Sequence, residues 1–432
     1  MKIPDWPVPI GFKPVSLGLE RVQQALANLG NPHHKIAPVI HVAGTNGKGS
    51  VCAFIRAILE SAGLTCNVYT SPNLVEFNER IVTAGNEISD DDLNRILSKV
   101  KKKTKDVQLT FFEATTIAAF EAFSEVEADY TILETGMGGR LDATNVMGLE
   151  GAPNPALTVI TPVSMDHMEY LGESIEKIAH EKACISKKGV PLVLGKQEEK
   201  AQSAIEDYAS KRASQIFHFN KDYLFKSYEN GFMFNHSGFS TEIDNISLNG
   251  QYQKENAATA IMSVLALKDK RINFKHIREG VANAVWKGRL QNIKTSKLGS
   301  YLDENDEIYI DCGHNPSAAE ALAKFIESLD NSENNKTKKN FLILGMLWNK
   351  DIAGYVNLVK HCFEKIYAFE IPDQESSAKL NHLTDILQQS NTNFSQCLDL
   401  EETIKQIKEQ NQECRIFIAG SLYLAGYVLA KY

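Results

Sequence analysis

The sequence predicts two α/β domains, each built on a mainly parallel sheet: a larger one at residues 1–288 and a smaller one at residues 289–432. Short apolar runs alternate with helical patterns along most of the chain, which is typical of parallel strands covered by helices. The chain of 432 residues is also long enough for two cores. A polar, glycine-containing stretch, WKGRLQNIKTSKLGS at residues 286–300, is the predicted boundary.

The apolar runs define the predicted elements in order. In the first domain the predicted strands are 39–43, 67–69, 130–133, 157–160 and 191–194. Residues 217–248 are aromatic and polar with rough alternation, so we predict a small antiparallel addition there, followed by a helix at 254–267. In the second domain the predicted strands are 307–310, 341–344, 365–368 and 415–418. NSENNKTKKN, residues 331–340, is predicted to be an exposed loop.

The stretch IHVAGTNGKGSV, residues 40–51, places three glycines and a lysine between a strand and a helix. Backbone N–H groups at a helix N-terminus are unpaired and carry partial positive charge, and glycines let an anion approach them. The match to the usual phosphate loop is incomplete, because Val42 stands where that pattern has its first glycine. A plain glycine turn is the alternative, but the strand, the helix and Lys48 together favour a nucleotide phosphate site.

Two later segments of the first domain carry candidate metal ligands. Ser71 lies in TSPNLVEFNERI after a strand, where it could face a metal or simply form a Ser-Pro turn. Glu113 begins an apolar helix in LTFFEATTIAAFEAF, where a carboxylate could bind magnesium or complement the helix dipole. Both alternatives stay open at each position.

Polar groups also follow other predicted strands. Glu134 ends the strand in YTILETGMGGRLDATNV, and His167 follows the next one in TPVSMDHMEYLG. In the second domain Asp311 and His314 of DCGHNP stand between a strand and a helix, where Asp311 could accept from a ribose hydroxyl. The alternative is a helix cap by Asn315 or Ser317. Ligands of open α/β sheets bind beyond strand carboxyl ends, so we expect a nucleotide held between the two domains.

Composition narrows the class of partner. A formal net charge of −8 offers no broad basic surface, so we expect no nucleic-acid partner, and the lysines at 101–103 and 105 are expected to form a solvated face. The seven cysteines form no C-x-x-C pair, which argues against a zinc site or a disulfide framework. Prolines interrupt the first 18 residues and no run is long enough to span a membrane, so we expect a cytoplasmic protein without a membrane partner.

Ten motifs follow one another along the chain. In the first domain they are GTNGKGS (44–50), TSPNL (70–74), FNERI (77–81), ETGMGGRLDATN (134–145), DHMEYLG (166–172) and EKA (181–183). In the second they are WKGRLQ (286–291), DCGHNP (311–316), GMLWNKD (345–351) and GSLYLAGYVL (420–429). Taken in order, these motifs resemble those of folylpolyglutamate synthase and dihydrofolate synthase, within the Mur ligase superfamily. The resemblance implies a P-loop-containing, Mur-ligase-like central ATPase domain and a smaller Rossmann-like C-terminal glutamate ligase domain.

The resemblance also implies an activity: ATP-dependent joining of L-glutamate to dihydropteroate, to a reduced folate or to both, through an acyl phosphate. It implies ATP and Mg²⁺ as cofactors, and we expect a monomer. The implied ATP-binding residues are Gly44, Thr45, Asn46, Gly47, Lys48, Gly49, Ser50, Asn256, Arg289, Asp311 and His314. The implied magnesium ligands are Ser50, Ser71, Glu113 and His167. Lys48, Glu113, His167 and Lys182 are the implied catalytic residues, and Lys182 matches a lysine that is often carbamylated in this family.

Two other functions stay open. Another Mur-type amino-acid ligase would carry a separate domain for its UDP-sugar substrate before the phosphate loop, and Gly44 leaves too little chain for one. A nucleotide-binding regulator without ligase chemistry would not need Glu113, His167 and Lys182 beside the loop.

Overall fold

The computed structural model describes residues 4, 6–7, 18–149, 151–228, 231–331 and 338–432. The chain divides into two compact units. The N-terminal domain comprises most residues before 248 together with Gln253–Val285, and the C-terminal domain comprises Leu248–Tyr252 and Trp286–Tyr432. The bounds proposed from the sequence, 1–288 and 289–432, stay a prediction.

The N-terminal domain alternates strands and helices, as the apolar runs predict. Its strands are β1 Val39–Ala43, β2 Cys66–Tyr69, β3 Ile81–Thr83, β4 Asn86–Glu87, β5 Tyr130–Glu134, β6 Leu157–Ile160, β7 Leu192–Leu194, β8 Ile216–His218, β9 Tyr223–Ser227, β10 Phe232–His236 and β11 Phe239–Ile243. Its helices are α1 Glu20–Asn28, α2 Lys48–Ser61, α3 Asp90–Lys103, α4 Phe111–Ser124, α5 Met168–Leu171, α6 Ile175–Ala183, α7 Glu199–Ala209, α8 Gln251–Ala266 (of which the first two residues belong to the other unit) and α9 Phe274–Asn283.

The large sheet has the strand order β4-β3-β2-β5-β1-β6-β7-β8. It is parallel from β2 to β8, and β3 and β4 pair antiparallel at one edge. The carboxyl ends of β2, β5, β1 and β6 therefore lie side by side along one edge of the sheet, where open α/β folds bind ligands. This order brings together the loops that the sequence marked as separate candidates.

Apolar clusters around this sheet fix the helices. One cluster joins α1, α3 and α4 to β2 and β5, and α4 is buried along most of its length, as its apolar sequence requires. A second cluster joins α6 and α7 to β6 and β7 and includes Ile178, Ala179 and Ile185. Lys182 lies on the same buried side of α6, which confirms the inward-facing position that the helical spacing predicts.

The strands β9, β10 and β11 form a separate antiparallel sheet in the order β11-β10-β9. The prediction of a small antiparallel addition in this part of the chain is confirmed. The lysines at 101–103 end α3 and are exposed, as is Lys105, so the solvated face is also confirmed.

The C-terminal domain has a second sheet in the order β12-β13-β17-β14-β15-β16, with β12 antiparallel and the others parallel. Its strands are β12 Gln291–Asn292, β13 Glu307–Ile310, β14 Lys339–Leu344, β15 Lys365–Ala368, β16 Phe394–Gln396 and β17 Cys414–Ala419. Its helices are α10 Pro316–Asp330, α11 Ile352–Val359, α12 Leu380–Gln389, α13 Leu400–Glu409 and α14 Leu422–Lys431. One apolar cluster joins α10, α11 and α12 to β14, β15 and β17.

Two sequence predictions fall mostly outside the described residues: the proline-rich start at residues 1–18 and the exposed loop at residues 331–340. Among the helices that the structure does describe, none has the length and apolar character needed to cross a membrane.

Candidate active site

The phosphate loop joins β1 to α2. Gly44 and Gly47 have φ of 146° and 83°, and Gly47 is the residue immediately before the helix. An added Cβ at Gly44 would lie 1.8 Å from the Thr161 hydroxyl, so only glycine fits this approach. Thr45 N and Asn46 N donate to Pro162 O at 2.9 and 3.1 Å, which fixes the loop against the segment after β6.

The polar side chains of the loop are already placed. Lys48 Nζ lies 3.4 Å from Thr45 O, so its ammonium folds back over its own loop. Ser50 is buried and its Oγ accepts from Gln253 Nε2 at 3.3 Å. Gly49 and Ser50 lie in the first turn of α2, whose N–H groups have no helical partner and attract anions.

Asn256 on α8 lies against this loop. An added Cβ at Gly47 would lie 2.4 Å from Asn256 Oδ1, and Asn256 Nδ2 donates to Gln253 Oε1 at 2.9 Å. The structure therefore brings Asn256 beside residues more than 200 positions earlier in the chain, a proximity that no local sequence pattern signals.

Lys182 also reaches the loop. Its side chain is buried, and Nζ donates to Gly44 O at 2.7 Å. Burial, together with the charge of Lys48, lowers the pKa of this amine to about 7, although Asp166 and Asp142 act in the opposite direction. Close to neutral pH the amine is therefore substantially uncharged.

Ser71 and Glu134 meet at the ends of neighbouring strands. Ser71 N donates to Glu134 Oε2 at 3.2 Å, and the Glu134 carboxylate is buried at the end of β5. β5 lies directly beside β1, which leads into the phosphate loop. From the sequence, Glu134 was predicted to end a strand, but it was not proposed as a magnesium ligand. Its position at the end of a buried strand was the feature that could have indicated a ligand-binding role.

Glu113 has different partners. It completes a capping box at the start of α4, in which Thr110 N donates to Glu113 Oε2 at 2.7 Å and Glu113 N donates to Thr110 Oγ1 at 3.2 Å. Arg21 on α1 donates to its Oε1 at 2.6 Å and to its Oε2 at 3.3 Å. Both carboxylate oxygens are engaged in this helix-start arrangement, and the magnesium role expected for Glu113 stays a prediction.

His167 follows β6, at the same edge of the sheet. Its φ of 48° lies in the left-handed region, which is uncommon for a residue other than glycine, and it precedes the short helix α5. Its side chain is 44% exposed, and Nε2 lies 3.6 Å from Asp166 Oδ2. A strained backbone that presents an accessible imidazole suits a ligand-binding role.

In the C-terminal domain, Asp311 is buried after β13. Its oxygens accept from Leu290 N at 3.0 Å and Gly313 N at 2.8 Å. Burial raises its pKa, and the charge of Arg289 opposes that effect. His314 Nδ1 lies 3.3 Å from Cys312 O.

The helix-cap alternative in the same segment is confirmed. Asn315 Oδ1 accepts from Ala318 N at 2.8 Å and caps α10. The Asp311 carboxylate accepts two backbone N–H groups, and the ribose contact expected for it stays a prediction.

A glycine cradle at a helix N-terminus, a lysine and a buried carboxylate beside a serine form a site that fits a nucleotide with a hard divalent cation. Residues 42–264 match the family model of the Mur ligase middle domain, and residues 294–431 match that of the dihydrofolate synthetase C-terminal domain. The dihydrofolate synthase/folylpolyglutamate synthase of Bacillus subtilis is 34% identical over 96% of this chain and 94% of its own length. The chain belongs to the dihydrofolate synthase/folylpolyglutamate synthase family.

Solved structures agree with this membership. FolC of Escherichia coli in complex with DHPP and ADP superimposes with a TM-score of 0.83 at 29% identity, covering 97% of this chain and 94% of that chain. A bifunctional folylpolyglutamate synthase/dihydrofolate synthase with Mn, AMPPNP and L-glutamate bound gives a TM-score of 0.81 at 28% identity, covering 96% of this chain and 94% of that chain. The predicted family, the Mur-ligase-like α/β fold and the class of ATP-dependent ligase are confirmed.

Proposed function

We propose that this ligase joins L-glutamate to dihydropteroate and to reduced folates, and converts ATP to ADP and phosphate. The observation that carries the proposal is the convergence of the phosphate loop, Glu134 and the buried Lys182 amine at one edge of the large sheet. The names of the relatives support the same reaction, since they are dihydrofolate and folylpolyglutamate synthases. The bound molecules of two similar structures support the nucleotide, the pterin and glutamate.

The proposed reaction has two steps. The substrate carboxylate takes the γ-phosphoryl group of ATP and becomes an acyl phosphate, and the amino group of glutamate then attacks its carbonyl carbon and releases phosphate. In this scheme the first-turn N–H groups of α2 bind the phosphates, and Lys48 swings from Thr45 O to the transferring phosphoryl group. A positive charge aimed at a phosphoryl group in transfer stabilises the charge that spreads over its oxygens.

The proposed magnesium ligands are Ser50, Ser71, Glu134 and His167. A divalent cation supplies charge neutralisation during phosphoryl transfer. Glu134 replaces Glu113 in this set, because the Glu134 carboxylate accepts a hydrogen bond from the backbone N–H of Ser71, another proposed ligand. The Glu113 carboxylate is instead bound by Thr110 N in the helix cap and by Arg21. The two hydroxyls and the carboxylate offer the oxygen ligands that Mg²⁺ prefers, and His167 adds an imidazole nitrogen.

Lys182 is proposed to carry a carbamate. The uncharged amine attacks the carbon of CO₂ and loses one proton, so that a neutral group becomes an anionic carbamate. The pKa of about 7 leaves the necessary neutral amine at physiological pH, and the remaining N–H can still donate to Gly44 O. A carbamate here would add a carboxylate beside the phosphate loop.

The remaining assignments are also proposals. Asn256 is supported as a nucleotide contact by its approach to Gly47, whereas Arg289, Asp311 and His314 rest on the motif match in the C-terminal domain. We further propose a cytoplasmic monomer, to be tested by light scattering after gel filtration and by cell fractionation.

The function is tested by offering purified protein ATP, Mg²⁺ and L-glutamate with either dihydropteroate or tetrahydrofolate. Phosphate release that requires both glutamate and a pterin, with a product heavier by one glutamyl residue in mass spectrometry, supports the proposal. Release without a glutamylated product would contradict it, and the two pterins separate the two ligase activities.

A further inference from the structure

Three side chains with metal-binding atoms converge in the C-terminal domain, on residues that the ligase reaction does not use. Glu327 lies in the last turn of α10, and His361 and Cys362 end the 3₁₀ helix Lys360–Cys362. Cys362 Sγ lies 3.3 Å from His361 Nε2, which lies 3.4 Å from Glu327 Oε1, and the three atoms all lie within 4.8 Å of one another.

These separations resemble the edges of a zinc coordination tetrahedron. With Zn–S of about 2.3 Å and Zn–N or Zn–O of about 2.0–2.2 Å, neighbouring ligand atoms lie about 3.3–3.6 Å apart. The S–N and N–O separations already meet this requirement. Glu327 and His361 are more than half exposed, so small side-chain rotations can bring the third edge into range.

The backbone that carries these ligands is anchored on both sides. Asp330, one turn after Glu327, accepts a hydrogen bond from Nη1 of the buried Arg415. Lys360 Nζ donates to Ser390 O at 2.8 Å, which holds the start of the 3₁₀ helix. The ligands therefore project from two fixed segments, and a cation would link them.

The donor set selects the kind of metal. A thiolate, an imidazole and a carboxylate together suit Zn²⁺ and similar transition ions, whereas a thiolate does not suit Mg²⁺, which prefers oxygen ligands. Zinc binds the thiolate form of cysteine, so binding must displace the proton of the Cys362 thiol.

We propose that Glu327, His361 and Cys362 bind one Zn²⁺, with water in the fourth position, and that this ion links α10 to the 3₁₀ helix. The site lies outside the proposed magnesium ligands and is independent of the proposed ligase function.

The test is a comparison of zinc binding in chelator-treated protein held at excess Mg²⁺, with a chromophoric zinc chelator as competitor. Cys362→Ser and His361→Gln should each lose one zinc equivalent or bind it at least about tenfold more weakly, while phosphate release in Mg²⁺ stays at the wild-type rate. His382→Gln, an exposed histidine on α12, is the matched control and should bind zinc like wild type.

A second measurement covers variants that fold poorly. Co²⁺ added to the wild type should produce a thiolate-to-cobalt absorption band, and Glu327→Gln should weaken Co²⁺ binding without changing the circular dichroism spectrum. Equal zinc stoichiometry and affinity in wild type, Cys362→Ser and His361→Gln, or Co²⁺ binding without a thiolate band, would overturn the proposal and leave only a hydrogen-bonded cluster.

Discussion

Replacing Lys182 by Met should make the N-terminal domain more stable near neutral pH, although it should abolish ligase activity. The pKa of the amine falls from its ordinary value of 10.5 to about 7 on folding, mainly because the side chain is buried. Between these pH values the unfolded chain binds the proton that the folded chain has released. The wild type therefore gains stability as the pH rises from about 7 towards 10.5, and loses it as the pH falls.

The structure sets the size of this effect. The pKa values of the unfolded and folded states are 10.5 and about 7, and each pKa unit is worth about 1.4 kcal/mol. The buried amine therefore lowers the free energy of unfolding of the wild type by about 5 kcal/mol at pH 7 and by about 2 kcal/mol at pH 9. Methionine fills the same space without an ionisable group, but it loses the hydrogen bond to Gly44 O, worth about 1 kcal/mol. Lys182→Met should thus be more stable by up to about 4 kcal/mol at pH 7 and by about 1 kcal/mol at pH 9.

The assay is urea unfolding followed by circular dichroism at pH 7, 8 and 9, in buffer freed of CO₂ so that a carbamate does not stabilise the wild type. The exposed Lys188→Met is the control and should show no such pH trend. If Lys182→Met is less stable than wild type, or if the difference between them does not change with pH, the native amine is charged. In that case the neutral amine that a carbamate requires is also absent.

Three further predictions concern the phosphate and metal groups. Lys48→Ala should lower turnover by at least about 10²-fold with an unchanged circular dichroism spectrum, and near wild-type phosphate release would remove Lys48 from the phosphate site. Glu134→Gln should raise the Mg²⁺ concentration that gives half-maximal turnover. Glu113→Gln should leave that Mg²⁺ concentration unchanged and lower the free energy of unfolding by about 1 kcal/mol. The reverse pattern would restore Glu113 as the magnesium ligand. Gly47→Ala should weaken ATP binding in a calorimetric titration, because the added Cβ would lie 2.4 Å from an amide oxygen on α8, whereas Gly63→Ala, at a similar φ in open space, should bind ATP normally.

The local sequence pattern correctly predicted individual strands and the segment that joins a strand to the phosphate-loop helix. The bounds of β1, β6, β13 and β15 agree with the apolar runs, because a buried parallel strand consists mainly of consecutive apolar residues. The glycine-to-lysine segment was placed correctly between a strand and a helix for the same reason. Which strand ends lie side by side depends on the sheet order, and that order is not written in any one segment.

The roles of the two glutamates show this limit. Glu113 and Glu134 both stand at one end of an apolar element, so the local sequence gives no reason to separate them. The structure separates them through distant partners: Arg21, 92 positions away, holds Glu113, and Ser71, 63 positions away, contacts Glu134. Glu327 and His361 are likewise 34 positions apart in the sequence. Because the sequence has no C-x-x-C pair, no zinc site was predicted from it.

The contacts of the two active-site lysines with the same loop imply an order of events. Lys48 lies on the loop whose Gly44 carbonyl accepts from Lys182, and its positive charge helps to keep the Lys182 amine neutral. A bound magnesium–ATP complex carries net negative charge and would offset that effect, raising the pKa of Lys182 and removing neutral amine. The proposed carbamate should therefore form before ATP binds. Protein depleted of CO₂ should regain phosphate release faster when bicarbonate is added before ATP than after it, and equal recovery in both orders would contradict this coupling of the two lysines.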